Sequence, residues 1–129
     1  MDLPVDAVLE ELAAFAPQVV YLHGSLATGR ARPDSDMDLA ILGPGPLDPY
    51  ALFLAAGRLS TRLGRDVDLL DLSTASAVMR ARVVTSGTRL WVGDPDRLAE
   101  FEMYALSDYA RTNEERRECL ARFTGASHA

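Results

Sequence analysis

The sequence predicts an α/β (α+β) domain in which a small mixed β-sheet is flanked by helices. Three observations lead there. Short runs rich in β-branched and aromatic residues, such as Val19-Val20-Tyr21-Leu22-His23, alternate with longer stretches of helical periodicity. Gly and Pro punctuate most of the junctions between them. The resulting order, helix-strand-strand-helix-strand-helix-strand-helix, is that of a sheet with helices packed over it.

Each element has its own signal. Pro4 opens a first helix on Val5, Val8, Leu9, Leu12 and Ala16, and Pro17 ends it. Val19 to His23 reads as a buried strand closed by Gly24, and Met37 to Leu42 as a second strand closed by Gly43-Pro44-Gly45-Pro46. Asp48-Pro49 supplies an N-cap and a proline at the first helical position. Leu52, Ala55, Ala56, Leu59 and Leu63 form the apolar stripe of that helix, and Gly64 stops it. Val67 to Leu72 is a third strand. Ser73 or Thr74 is expected to cap the next helix, which runs to about Ser86 before Gly87. Thr88 to Val92 is the fourth strand. Asp94-Pro95 starts a last helix reaching about Glu118, with Leu98, Phe101, Ala105 and Tyr109 on one face. No repeat or linker divides the chain, so residues 1–129 are expected to form one domain.

Composition narrows the function. Hydrophobic residues make up 48% and charged residues 25%, which excludes disorder. No apolar run reaches the length of about 20 that spans a bilayer, and Met1-Asp2-Leu3-Pro4 lacks the basic start of a signal peptide. The single cysteine, Cys119, cannot pair within the chain and is expected to be an inert, partly buried thiol in a reducing cytoplasm. A net charge of −6 argues against stable nucleic-acid binding, which rests on basic patches. All 13 basic residues are arginine, so Schiff-base and P-loop lysine chemistry is excluded and any phosphate clamp must use arginine, backbone N–H groups or metal.

The chemistry concentrates in one stretch. Gly24-Ser25 is followed after ten residues by Asp36-Met37-Asp38 at the entrance of the second strand. Residues i and i+2 of a strand share a face, so Asp36 and Asp38 project side by side and repel unless a cation lies between them. Oxygen-only ligands suit Mg²⁺, which takes further oxygens from bound phosphate. Gly24-Ser25 offers unencumbered N–H groups to such a phosphate, and Arg30 and Arg32 are candidates to contact it as well.

A third carboxylate is expected from the third strand. Asp68 and Asp71 are an odd number of residues apart and so face opposite sides of the sheet. Asp68, between Val67 and Leu69, is costly to bury without a function, whereas Asp71 at the strand end suits a turn or cap. His23 reads as a packed strand-end residue, and with His128 in the tail a histidine metal site is not expected.

Gly24-Ser25, Asp36-Met37-Asp38 and the later Val67-Asp68-Leu69 resemble the nucleotidyltransferase superfamily typified by DNA polymerase beta. The Gly-Ser-x-Ala-x-Gly form of the turn, Ser35-Asp36-x-Asp38-Leu39, and Asp68-Leu69-Leu70-Asp71-Leu72 look like its minimal nucleotidyltransferase (MNT) branch. Members of that branch are commonly antitoxins of HEPN/MNT toxin–antitoxin pairs. The likeness is strong from Val19 to Val92 and weak in the last helix. Many relatives carry arginine where this chain has Thr28, and Arg30 is the nearest replacement. The resemblance implies a polymerase-beta-like nucleotidyltransferase fold, ATP as substrate, and two Mg²⁺ ions held by Asp36 and Asp38 with Asp68 as third ligand and proton acceptor. It implies that Gly24, Ser25 and Arg30 bind the nucleotide's phosphates, and that AMP passes to a tyrosine of a partner HEPN ribonuclease toxin, silencing it. Because the core consumes the chain, the acceptor is expected to be a protein brought by that partner. An aminoglycoside-type enzyme would need a substrate-binding helical extension. A noncatalytic toxin-binding module would not need three carboxylates. Phe101, Tyr104 and Tyr109 of the last helix are expected to form the docking surface if exposed.

Overall fold

The computed structural model describes residues 3–24 and 36–124. Helix α1 (Val5–Leu12) and a 3₁₀ turn (Ala13–Phe15) lead into β1 (Val19–His23). Then follow β2 (Met37–Leu42), α2 (Pro49–Leu63), β3 (Val67–Asp71), α3 (Ala77–Ser86), β4 (Thr88–Val92) and α4 (Pro95–Thr124). The sheet is mixed, with order β3-β2-β1-β4: β1 pairs antiparallel with β2 and β4, and β2 pairs parallel with β3. This is the predicted class. Among the described residues no helix is long and apolar enough to cross a membrane.

Strand alternation sorts the core into two layers. Val20, Leu22, Met37, Leu39, Ile41 and Val67 face α1 and α2, meeting Val8, Leu12, Leu52 and Leu59. Val19, Tyr21, Ala40 and Leu42 face the other way, against Val83 of α3 and Phe101 and Ala105 of α4. Burying each Val, Leu, Ile, Met or Phe side chain among them stabilises the fold by about 1.5–3 kcal/mol. The hydroxyl of Tyr21 donates to Glu102 Oε2 at 2.7 Å, and the same carboxylate receives the Arg89 guanidinium, so α4 is tied to both β1 and β4. Burial and the adjoining carboxylate push the Tyr21 hydroxyl's pKa upward.

Local chemistry sets the boundaries. Asp48 accepts from the Tyr50 N–H at 3.1 Å with Pro49 behind it, and Gly64 ends α2 in the left-handed region at φ 68°. Ala16, at φ 49°, takes the same region to turn the chain into β1. Three expectations need correction. The cap of α3 is Ser76, accepting from Met79 N at 3.1 Å, because the Ser73 and Thr74 N–H groups are engaged by the side chain and carbonyl of Asp71. Helix α4 continues to Thr124, since its last turns have no breaker residue although they lack an apolar stripe. Cys119 is exposed rather than partly buried, because that part of α4 has left the sheet behind.

Candidate functional site

Strand direction brings the chemistry to one end of the sheet. β2 and β3 both begin there, and β1, running the opposite way, finishes there. Asp36 directly precedes β2 and Asp38 is its second residue. The register sets His23 opposite Asp38 across the antiparallel pair, and Asp38 beside Asp68 across the parallel pair. A row His23–Asp38–Asp68 thus crosses three strands, with neighbours about 4.8 Å apart along the hydrogen-bonding direction. Asp36 shares the Asp38 face by alternation, so three carboxylates gather on the face that carries α3 and α4 farther along.

Gly24 completes the corner. Its φ of +75° lies in the left-handed region, and a Cβ there would collide with Asp38 Oδ2. Only glycine satisfies both constraints, the backbone conformation and the close approach to a carboxylate.

The electrostatics follow from the crowding. Burial raises the Asp38 pKa first, and the negative charges of Asp68 and Asp36 raise it further, while His23 opposes them. Among the described residues the corner holds more negative charge than positive, and its carboxylates offer oxygens. Among the described residues no group of three His, Cys, Asp or Glu could by itself hold a metal ion. The carboxylate oxygens suit Mg²⁺, which is ordinarily bound by one or two carboxylates together with water and substrate phosphates.

The structure brings together four of the residues singled out in the sequence: Gly24, Asp36, Asp38 and Asp68. Ser25, Thr28, Arg30 and Arg32 lie outside the described residues. Asp68 is exposed, not buried in an apolar run, because β3 is an edge strand and its flank is open. Asp71 is the buried carboxylate, at 7% exposure, and it works as a turn former: Oδ1 accepts from Ser73 N and Oδ2 from Leu47 N, both at 2.9 Å. The residue that sequence reasoning undervalued is His23. Its position at the last residue of β1 was legible, but the connection from Gly24 to β2 is too long to fix a register by turn type. Of the aromatics on α4, Phe101 is buried and Tyr109 half-buried, and Tyr104 is exposed. The expected docking role of Phe101 is thus ruled out by its place in the core.

Comparison with known proteins gives this geometry a context. Residues 8–96 match the family model described as polymerase beta, nucleotidyltransferase. The protein adenylyltransferase MntA of Shewanella oneidensis is 38% identical over 103 residues, covering 80% of this chain and 73% of that protein. A crystal structure of a toxin–antitoxin with AMP-PNP superposes with a TM-score of 0.84 at 32% identity, over 95% of this chain and 99% of the other. A structure of a tri-AMPylated Shewanella oneidensis HEPN toxin in complex with MNT antitoxin superposes at 0.77 with 30% identity, over 93% and 95%. With the family model spanning more than half of the chain and such a relative covered over most of its length, this chain belongs to the polymerase beta nucleotidyltransferase family, among the MntA protein adenylyltransferases.

Proposed function

We propose that this chain transfers AMP from ATP to a tyrosine hydroxyl of a partner HEPN ribonuclease toxin, and so acts as its antitoxin in the cytoplasm. The observation that carries the reading is the register of β2 against β3, which sets Asp68 beside Asp38 with Asp36 on the same face. Gly24 keeps the approach to Asp38 clear, and its neighbour Ser25 and the nearby Arg30 are assigned to the nucleotide's phosphates.

In the transfer, the acceptor oxygen forms a bond to the α-phosphorus as the bond from that phosphorus to the bridging oxygen breaks and pyrophosphate leaves. The hydroxyl proton goes to Asp68, whose exposed carboxylate is open to an incoming side chain. Asp36 and Asp38 carry the same sign of charge as the triphosphate, so they would contribute to its in-line placement through the cations they would hold, and positioning of this kind supplies a large part of the acceleration. Asp36, Asp38 and Asp68 are the residues that would hold two Mg²⁺ ions, which when bound neutralise the phosphates and the departing pyrophosphate. His23, beside Asp38, keeps that carboxylate nearer its ionised form.

The test is the intact mass of a HEPN-family toxin, supplied as the candidate partner, after incubation with this protein, ATP and Mg²⁺. The reading expects additions in whole multiples of AMP, located by fragmentation on a tyrosine and absent without ATP. An unmodified partner that is nevertheless bound and silenced would replace catalysis with simple masking.

A further inference from the structure

A groove of about 670 Å³ runs along the outer edge of β3, between that strand and α2. Five consecutive residues, Val67 through Asp71, line it. Successive strand residues point to opposite faces, so a wall made of all five is the backbone edge of the strand. The ladder fixes which groups that edge presents. Met37 N donates to Asp66 O at 2.8 Å and Leu72 N to Ile41 O at 3.0 Å, so residues 66, 68, 70 and 72 bond to β2. Residues 67, 69 and 71 therefore turn their N–H and C=O groups outward. The Val67 N–H is taken by the Ser60 hydroxyl at 2.9 Å, and the Asp71 carbonyl by Thr74. The N–H and C=O of Leu69, midway along, point into the groove.

The opposite wall is α2, where Phe53 is 72% exposed and Gly57 has open space where a Cβ would stand. Among the described residues the lining holds carboxylates, the Ser60 and Thr74 hydroxyls and apolar groups but no arginine. At one end stands Asp68, the same residue that closes the carboxylate row.

We infer that this groove receives the acceptor: an extended segment of the partner protein lies against β3 and delivers its hydroxyl to Asp68. The inference rests on the adenylyltransferase reading above. A donor and acceptor presented together by a strand edge are matched by another extended backbone, the mode in which a peptide adds to a sheet. The apolar wall of α2 suits the alternate side chains of such a segment. Acidic groups without basic ones among the described lining residues complement a neutral or basic peptide and disfavour a nucleotide's phosphates. Continuity through Asp68 carries the docked chain to the reacting end of the sheet. An open strand edge beside apolar surface is otherwise a liability that soluble proteins cover.

Gly57→Arg tests this without disturbing the fold, because the position is open and glycine is the poorer helix former. Ala121→Arg, exposed on α4 and outside the groove lining, serves as the control for an added arginine. The probe is a HEPN-family toxin that binds the wild type, with binding followed by titration, transfer by intact mass, and AMP-PNP binding by thermal shift. Gly57→Arg is expected to weaken partner binding and slow AMP transfer about ten-fold or more, with AMP-PNP binding unchanged and Ala121→Arg like the wild type. The Leu69 amide is expected to gain protection from hydrogen exchange in the wild-type complex. Wild-type binding by Gly57→Arg, or no added protection at Leu69, overturns the inference. So does a wild-type homodimer that Gly57→Arg dissociates, since the occupant is then a second copy. If the wild type binds the partner but transfers no AMP, the adenylyltransferase reading falls; the groove stands or falls separately on the binding and exchange results.

Discussion

His23 stands directly opposite Asp38 across the antiparallel β1–β2 pair, and its charge draws that carboxylate toward the ionised form against burial and two like-charged neighbours. In His23→Gln the opposition is gone, so the Asp38 pKa rises further. A higher pKa enlarges the protonated fraction at acid pH, and the acidic limb of the transfer rate moves to higher pH. The expected result is a several-fold loss at the acidic end with less than about a two-fold change near pH 8, where the carboxylate is ionised in both proteins. A uniform loss at every pH would mean that His23 acts through packing alone.

Asp36→Asn and Asp38→Asn are each expected to lower AMP transfer by roughly two decades or more while leaving the circular dichroism spectrum unchanged. Asp38→Asn has a second consequence. A folded-state pKa raised above the ordinary 3.8 means that ionised Asp38 destabilises the fold above its folded pKa. That cost fades as pH falls through the folded pKa and is absent below the unfolded one, where both states hold the proton. Measured in chelator, the Tm of Asp38→Asn is expected to exceed that of the wild type at neutral pH, with the gain shrinking toward about pH 4.

Asp68 and Asp71 make a matched pair of controls. Asp68→Ala is expected to lose about two decades of rate with little change in Tm, since the side chain is exposed. Asp71→Ala strands the Leu47 and Ser73 amides that its carboxylate accepts, at a cost of about 1–3 kcal/mol, and lowers the Tm by several degrees with rate per folded molecule preserved. The opposite ranking in a paired rate and melting experiment would reassign the third carboxylate.

Tyr21→Phe removes a buried donor to the Glu102 carboxylate, and a bond of that kind contributes about 1.5–3 kcal/mol. Denaturant titration is expected to show a loss near the lower end of that range, because Arg89 still binds Glu102.

The variant lacking all three site carboxylates, with Asp36, Asp38 and Asp68 each changed to Asn, is expected to bind the HEPN partner and yet fail to protect cells from it. Co-purification and growth measurements separate the two properties. Protection at normal expression by this variant would identify masking as the inhibitory mechanism.

Much of the fold was legible because its signals are local. The bounds of β2 and β4 follow from short runs closed by punctuating residues, Gly43-Pro44 after β2 and Gly87 before β4, and α2 from Asp48-Pro49 at one end and Gly64 at the other. Parity set Asp68 and Asp71 on opposite faces, as the strand does, but the preference for Asp68 rested on its expected burial within the apolar run, and it is Asp71 that is buried. What was not legible depends on distant pairing. The exposure of Asp68 follows from β3 being an edge, a property of strand order. The meeting of His23 with Asp38 follows from a register that the residues between Gly24 and β2 leave unspecified. The length of α4 escaped because its final turns are helical without an apolar face to betray them.

The parallel pairing of β2 with β3 has a further consequence for how this molecule fails. β3 is held to the sheet by one neighbouring strand, and a one-residue slip would swing Asp68 to the far side of it. Val67 belongs to the layer under α2 and Leu70 packs against the layer under α3 and α4, so peeling of the outermost ribbon opens both apolar layers as it scatters the carboxylates. Thermal loss of activity and loss of the fold are therefore expected to coincide, and remedies that pin this border strand would delay both.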